Sequence, residues 1–271
     1  MCYILAGDWR TGERWSWSDK TEMSAKEKRD FQKKLDQAMA DRRAEREQQY
    51  ANAALKADIV LRSAKPAGES EYLRRKNIQA FGLKFDGDDL LMPMADLDGH
   101  LWGYQRISPC GRKMFLSGQR AKGTCHVIGD LLHDVIIICE GYATGASIHM
   151  ATGQTVVCAL FAGNLAAITA AVRLKHPKAH VVIAADNDQW TDGNPGLTEA
   201  TRIAKGLFLY LAVPVFRDTS SKPTDFNDLQ NLEGSYAVTL AIEEAAKFTR
   251  PDVMTEEAAR TYNKLMGSAD G

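Results

Sequence analysis

The sequence predicts an α/β protein: a parallel sheet flanked by helices, preceded by a small mixed α+β subdomain of basic character and by an N-terminal helix. Three observations predict it. From residue 131 onward, near-continuous apolar runs alternate with helical stretches, the pattern of parallel strands buried on both faces. Between residues 67 and 129, short apolar runs alternate with Gly-containing turns, the pattern of short antiparallel strands. Residues 24–57 are rich in Lys, Arg, Glu, Gln and Ala, the composition of a solvated helix.

Each element follows in order. Residues 7–19 read GDWRTGERWSWSD, with Trp9, Trp15 and Trp17 among polar residues. This predicts a β-hairpin with Thr11-Gly12 near its turn, too short to hold a core of its own. Next, Phe31, Leu35 and Met39 recur at helical spacing, and Ser24 with Glu27 forms a capping box. The plain reading is an amphipathic linker helix. The sharper one is a helix touching nucleic acid through Lys33, Lys34, Arg42, Arg43 and Arg46, which the interspersed acids weaken.

A short helix is expected near Glu69–Lys76, then strands at Leu90–Met94, Leu101–Ile107, Met114–Leu116 and Cys125–Ile128. Asp98-Gly99 between two of these is a hairpin signal. In the parallel part, strands are expected at Val135–Cys139, Thr155–Leu160, Val181–Ala185 and Val213–Phe216. Helices are expected from Ala143, across Leu165–Leu174 and over Gly196–Leu211. Pro214 places the fourth strand at an edge. A helix and a frayed end are expected after Arg250. The expected domains are an N-terminal strand remnant at 1–23, the linker helix at 24–62, the basic subdomain at 63–130, the parallel α/β domain at 131–248 and a tail at 249–271.

Composition bounds the function. The chain has 271 residues, 34 Lys and Arg against 35 Asp and Glu, and 45% apolar residues, which excludes disorder throughout. No apolar run approaches the roughly 18–20 residues of a membrane span, and MCYILAGDWR is not a signal peptide. The five cysteines (Cys2, Cys110, Cys125, Cys139, Cys158) are widely spaced, as reduced thiols of a cytoplasmic protein are. Cys139 and Cys158 lie in apolar runs and read as core. Close Cys or His pairs are lacking, so no zinc is expected. No GxxxxGK[ST] occurs, which argues against a helicase or an ATP-driven nuclease.

One charge feature stands out. Between Gly99 and Gly129 there is no Asp or Glu, while Arg106, Arg112, Lys113, Arg120 and Lys122 all fall there. With Trp102, Tyr104 and Phe115 interleaved, the stretch suits a phosphate backbone with base stacking; the alternative is a solvated basic face. A second feature is acidic. In parallel α/β sheets ligands bind beyond the carboxyl ends of the strands. There stand Glu140-Gly141, then Asp186-Asn187-Asp188, then Asp225 and Asp228 within KPTDFNDL. Any one of these acids reads equally as a helix cap or a surface charge. Their convergence is what Mg²⁺ requires: hard oxygen ligands with room for water and phosphate. Gly141 and Gly145 permit close backbone approach at a helix start, where anions are favoured. Asn164 reads as a phosphate contact or a cap, Tyr142 as packing or a nucleotide contact, and His126 and His133 as structural.

EGYATG after one strand, AADND after a later one and TDFNDL further on resemble the Toprim domain. This domain is shared by bacterial-type DNA primases, topoisomerases and small nucleases, and the match is to the primases of plasmids and phages, over residues 67–247. The run LLMPMADLDGHLWGYQRI…KMFLSGQRAKGTCHVIG resembles the basic subdomain preceding Toprim in those primases, and GDWRTGERWSW the end of a module before it. The resemblance implies synthesis of short RNA primers on single-stranded DNA from nucleoside triphosphates, with Mg²⁺ or Mn²⁺ in a two-metal site, in plasmid, phage or conjugative replication.

It implies that Glu140 ligates metal or acts as general base, that Asp186 and Asp188 bind metal, and that Asp225 and Asp228 complete the site. Lys222 would neutralise triphosphate. Arg106, Arg112, Lys113, Arg120 and Lys122 would hold template or incoming nucleotide. A replicative helicase or relaxase of the same mobile element is a candidate partner. The primases' zinc module is missing, so a fragment or minimal form of a longer replication protein is expected. The alternatives are a Toprim nuclease using the same carboxylates and a non-catalytic nucleic-acid-binding Toprim protein; a topoisomerase lacks room for its tyrosine domain.

Overall fold

A computed structural model describes residues 3–7, 14–18, 24–248 and 256–267. The chain divides into two compact units, residues 1–49 and 50–271. In the first, β1 (Tyr3–Gly7) pairs antiparallel with β2 (Arg14–Ser18), Tyr3 opposite Ser18 and Gly7 opposite Arg14. The turn expected at Thr11-Gly12 lies outside the described residues.

Helix α1 (Ala25–Ser63) opens on the expected capping box. The Glu27 N–H donates to Ser24 Oγ at 3.3 Å, and the Ser24 N–H donates to Glu27 Oε2 at 2.9 Å. The helix ends at Ser63, next to the expected end of the linker at 62, but its last turns are buried rather than solvated. Ala53, Ala57 and Leu61 lie under β-structure of the second unit. Upstream, Arg43 pairs with Glu47, a solvated i,i+4 pair.

The second unit continues with α2 (Glu71–Lys76) and a four-stranded antiparallel sheet in chain order. Its strands are β3 (Lys84–Asp86), β4 (Asp89–Ala95), β5 (Leu101–Ile107) and β6 (Lys113–Phe115). The Asp98-Gly99 turn forms as expected. Gly99 takes φ +86°, and Asp96 Oδ1 accepts from the N–H groups of Asp98 and His100. Alternation along β4 divides its side chains between two cores. Leu91, with Tyr104 of β5, packs against Ala57 and Leu61 of α1, whereas Leu90, Met92 and Met94 join the main core.

The six-stranded sheet has the order β12-β11-β10-β8-β9-β7. Strands β8 (Val135–Cys139), β9 (Thr155–Cys158), β10 (His180–Ala184) and β11 (Tyr210–Ala212) are parallel. The edge strands β7 (His126–Ile128) and β12 (Ala246–Lys247) are antiparallel. Helices α3 (Tyr142–Thr152), α6 (Phe226–Glu233) and α7 (Ser235–Glu243) cover Ile137, Cys139, Val156 and Val182. Helices α4 (Ala162–Lys175), α5 (Pro195–Leu207) and α8 (Glu256–Met266) cover Ile136, Ile138, Val157 and Val181. Both faces are dry, which is why these strands are continuously apolar.

Two expected elements move. Helix α5 stops at Leu207, where Phe208 adopts the left-handed φ of +56°, and the fourth parallel strand is Tyr210–Ala212 rather than Val213–Phe216. Pro214 follows that strand instead of marking an edge, and β12 forms the edge. The run Cys125–Ile128 yields β7, which extends the six-stranded sheet.

Candidate functional site

The acids are brought together at the carboxyl edge of the six-stranded sheet. Glu140 directly follows β8 and Asp186 lies two residues beyond β10. Asp225 is the N-cap of α6, its Oδ1 accepting the Asp228 N–H at 2.8 Å. The loops that carry them are cross-braced by backbone. The Asn187 N–H donates to the Thr224 carbonyl at 2.7 Å, and the Leu160 N–H to the Glu140 carbonyl at 2.7 Å. Leu160 holds a left-handed φ of +78° in doing so, a strained position for a residue with a Cβ.

A cleft of about 320 Å³ opens on Glu140, Gly141, Asp186 and Asp225. Tyr72, Arg75 and Lys76 of α2 line it too, with Cys110, Gly111 and Lys113. Its electrostatics follow from crowding. Burial, then Asp225, Glu140 and Asp188, push the Asp186 carboxyl up to about 8, while Lys113 opposes the shift. Burial also raises Glu140; Lys113 and the Ala162 N–H counter it, and Asp188 adds to it. Asp225 is raised by burial and by Asp228, with Lys76 among the opposing groups. Asp186 Oδ1 is buried with no hydrogen-bond partner among the described residues. These carboxylates share one field. Even so, among the described residues no three His, Cys, Asp or Glu side chains, as they stand, are grouped so that they could hold a metal ion. The donor chemistry, hard oxygens under mutual repulsion with a buried lone pair unanswered, fits a divalent cation.

The remaining expected residues separate. Asp188 Oδ2 accepts from the Gly196 N–H at 3.1 Å at the start of α5, and Asp228 Oδ2 accepts from the Thr224 N–H at 2.9 Å. Each thus also braces a loop, and neither lines the cleft. Lys113 lines the cleft, and Arg112 beside it is exposed. Lys122 is exposed, and so is Lys222, which lies on the loop before Asp225 with φ +55°.

Arg106 is a correction. It bridges Asp86 and Asp89 at 2.8 Å each, so its charge is neutralised within the small sheet. Arg120 stacks on Trp102 at 4.9 Å. Gly145 is also corrected. A Cβ there would meet Cys158 Sγ at 2.5 Å and Cys139 Sγ at 3.2 Å, so this glycine seats α3 on the sheet rather than admitting a phosphate. Gly141 borders the cleft, where a Cβ would meet nothing closer than 3.8 Å.

Asn164 is neither a phosphate contact nor a cap. Fully buried, it donates to the Thr124 and Ala159 carbonyls and accepts from the Gly123 N–H. Tyr142 is packing, its hydroxyl donating to the Gln79 carbonyl and accepting the Phe81 N–H. Arg75 and Lys76 were missed. Their signal was a basic pair closing a short helix, with nothing local to connect it to acids some 65 residues and more downstream.

A parallel sheet with acids at its carboxyl edge and a basic antiparallel sheet before it defines the class: an α/β core of the Toprim type. Residues 135–236 match the Toprim domain family. Two relatives, each named DNA primase TraC from Escherichia coli, are 34% and 30% identical over 220 residues. Each alignment covers 76% of this chain, and 21% and 15% of the respective relatives, so the chain spans about a fifth or less of their length. A structure of the DnaG primase catalytic domain bound to ssDNA shares the fold, with TM-score 0.51 at 14% identity, over 84% of this chain and 92% of that one. Over residues 135–236 the chain is thus similar to the Toprim domain, and over 220 residues it is similar to part of two DNA primases. Among the described residues no helix is long and apolar enough to cross a membrane.

Proposed function

We propose that this chain is the catalytic part of a DNA primase, joining ribonucleotides on a single-stranded DNA template. The observation that carries the reading is one cleft in which Glu140, Asp186 and Asp225 face Arg75, Lys76 and Lys113. Carboxylates that repel one another beside cations suit a triphosphate and its counter-ions. Glu140, Asp186 and Asp225 would hold Mg²⁺ or Mn²⁺, with Asp188 and Asp228 supporting them. Such ions supply charge neutralisation for the phosphates and acidify an attacking hydroxyl. Lys113, Lys76 and Arg75 bind and orient the triphosphate. Alternatively, Glu140 stays off the ion, and its raised pKa then suits a base toward a 3′-hydroxyl. Arg112 and Lys122 hold template phosphates, and Lys222 reaches toward the triphosphate from its loop. In this reading residues 24–62 link, 63–130 hold nucleic acid and 131–248 carry the chemistry, with α8 packed against their helices. A helicase or relaxase of the same mobile element, in the cytoplasm, is the partner that such chemistry would serve.

Template-dependent incorporation of labelled ribonucleotides on single-stranded DNA, with Mg²⁺ or Mn²⁺, tests the proposal beside a Glu140→Gln control. Products from the native chain that vanish in the variant support it. Cleavage of nucleic acid without nucleotides, and no incorporation, would replace it with the nuclease reading.

A further inference from the structure

The basic, acid-free stretch holds three aromatics, and the fold gives them different fates. Tyr104 is buried under α1. Trp102 donates its indole N–H to Asp96 at 2.8 Å and is covered by Arg120. Phe115, by contrast, ends the edge strand β6 with 41% of its surface exposed. Lone exposed apolar side chains need no explanation, but Phe115 is not alone. Its ring meets Phe161 edge to face, centroids 5.9 Å apart and planes at 76°.

The position of this pair matters. Phe115 and Lys113 are two residues apart on β6, hence on one face, about 7 Å from each other along the strand. Lys113 lines the carboxylate cleft. Phe161 directly follows Leu160, which also lines the cleft and whose N–H holds the Glu140 carbonyl. Two chain segments thus converge from the cleft onto one aromatic corner. Arg112 and Lys113 stand exposed beside it. An exposed aromatic side chain next to exposed basic ones is the combination that binds single-stranded nucleic acid: charge for the backbone, a ring for a base.

We propose that Phe115, backed edge-on by Phe161, is a stacking platform for one base of the single-stranded DNA template at the mouth of the carboxylate cleft, with Arg112 on a flanking phosphate. This rests on the primase reading and adds to it the residue that positions the template base.

The test is equilibrium binding of the full chain to fluorescein-labelled oligo-dT, without nucleotides, beside an abasic strand of equal length. Phe115→Ala weakens oligo-dT binding about tenfold and leaves the abasic strand unaffected. Its salt dependence matches the native chain, because no phosphate contact is lost, whereas Arg112→Ala lowers the salt slope by about one. Phe115→Trp retains affinity, and its indole emission is quenched on binding oligo-dT. Unchanged affinity in Phe115→Ala, or an equal loss on the abasic strand, overturns the proposal. If ribonucleotide incorporation survives in that case, the platform alone is wrong. A native chain that neither binds single strands nor incorporates ribonucleotides overturns both readings.

Discussion

Asp186 is a site carboxyl whose chemistry is far from ordinary. Folding moves its carboxyl from the usual carboxylate range up to about 8, so the native state holds a proton that the unfolded chain releases. The stabilisation from that proton is complete below the unfolded pKa and is lost as pH rises through about 8. In chelator-containing buffer the melting temperature is expected to fall from pH 5 to pH 8, with Glu140 and Asp225 shifted the same way. Asp186→Asn should flatten that fall, raise the melting temperature at pH 8 and abolish ribonucleotide incorporation. A melting temperature indifferent to pH in the native chain would show that the carboxylates do not share a field. Gly196 makes a second prediction. A Cβ there would meet Asp188 Oδ2 at 2.7 Å and the Asp186 carbonyl oxygen at 2.9 Å. Gly196→Ala should cost about 1–3 kcal/mol of stability and lower incorporation at least tenfold, read by denaturant unfolding and by the incorporation assay.

At the scale of elements, the small sheet and the six-stranded sheet are tied by few polar side chains. Asn164, at the start of α4, joins the 121–124 loop to the end of β9 by three hydrogen bonds. Asn164→Ala leaves buried partners unanswered and should destabilise by about 2–4 kcal/mol, visible in urea unfolding. Asn164→Asp keeps the acceptor, loses two donated bonds and buries a charge, and should be worse. His126 sets its ring nitrogens 3.0 and 2.9 Å from the Pro93 and Phe81 carbonyl oxygens, and Tyr142 grips the same loop before β3. That loop follows α2, so these buried groups also hold Arg75 and Lys76 at the cleft. Elements of this kind were unevenly legible. VIIIC and HVVIA announced themselves, because a strand buried on both faces must be apolar throughout. The run LYLAVPVF could not reveal where its strand begins, since the break is set by a left-handed Phe208 that no local pattern requires.

For the whole molecule, residues 50–271 form one compact unit that retains the part of α1 carrying Ala53, Ala57 and Leu61. A chain beginning at Tyr50 is expected to unfold in one cooperative transition near the melting temperature of the full chain. Removal through Ser63 should uncover Leu91 and Tyr104, lowering that temperature by many degrees and exposing apolar surface to a hydrophobic dye. Millimolar Mg²⁺ or Mn²⁺ should raise the melting temperature of the native chain at pH 8 and leave Asp186→Asn unmoved, because only a state that binds the ion is stabilised by it.

What the sequence by itself determined is the strand–helix alternation from β8 through α5, the hairpin at Asp98-Gly99 and the acids that follow the parallel strands. All of these are local: they follow from a period of two or 3.6 residues, from a turn that requires glycine, or from a position at a strand's end. Only the tertiary structure decided which cations face those acids. Arg106 and Lys113 are both cations of the same acid-free stretch, yet one is neutralised by Asp86 and Asp89 and the other looks onto Glu140. Gly145 and Gly141 likewise share a motif, but only Gly145 is pressed against sulfur. The physical reason is that which face of the small sheet meets the edge of the large one is set by the burial of Leu90, Met92, Met94 and Ile107 in a core assembled from distant segments.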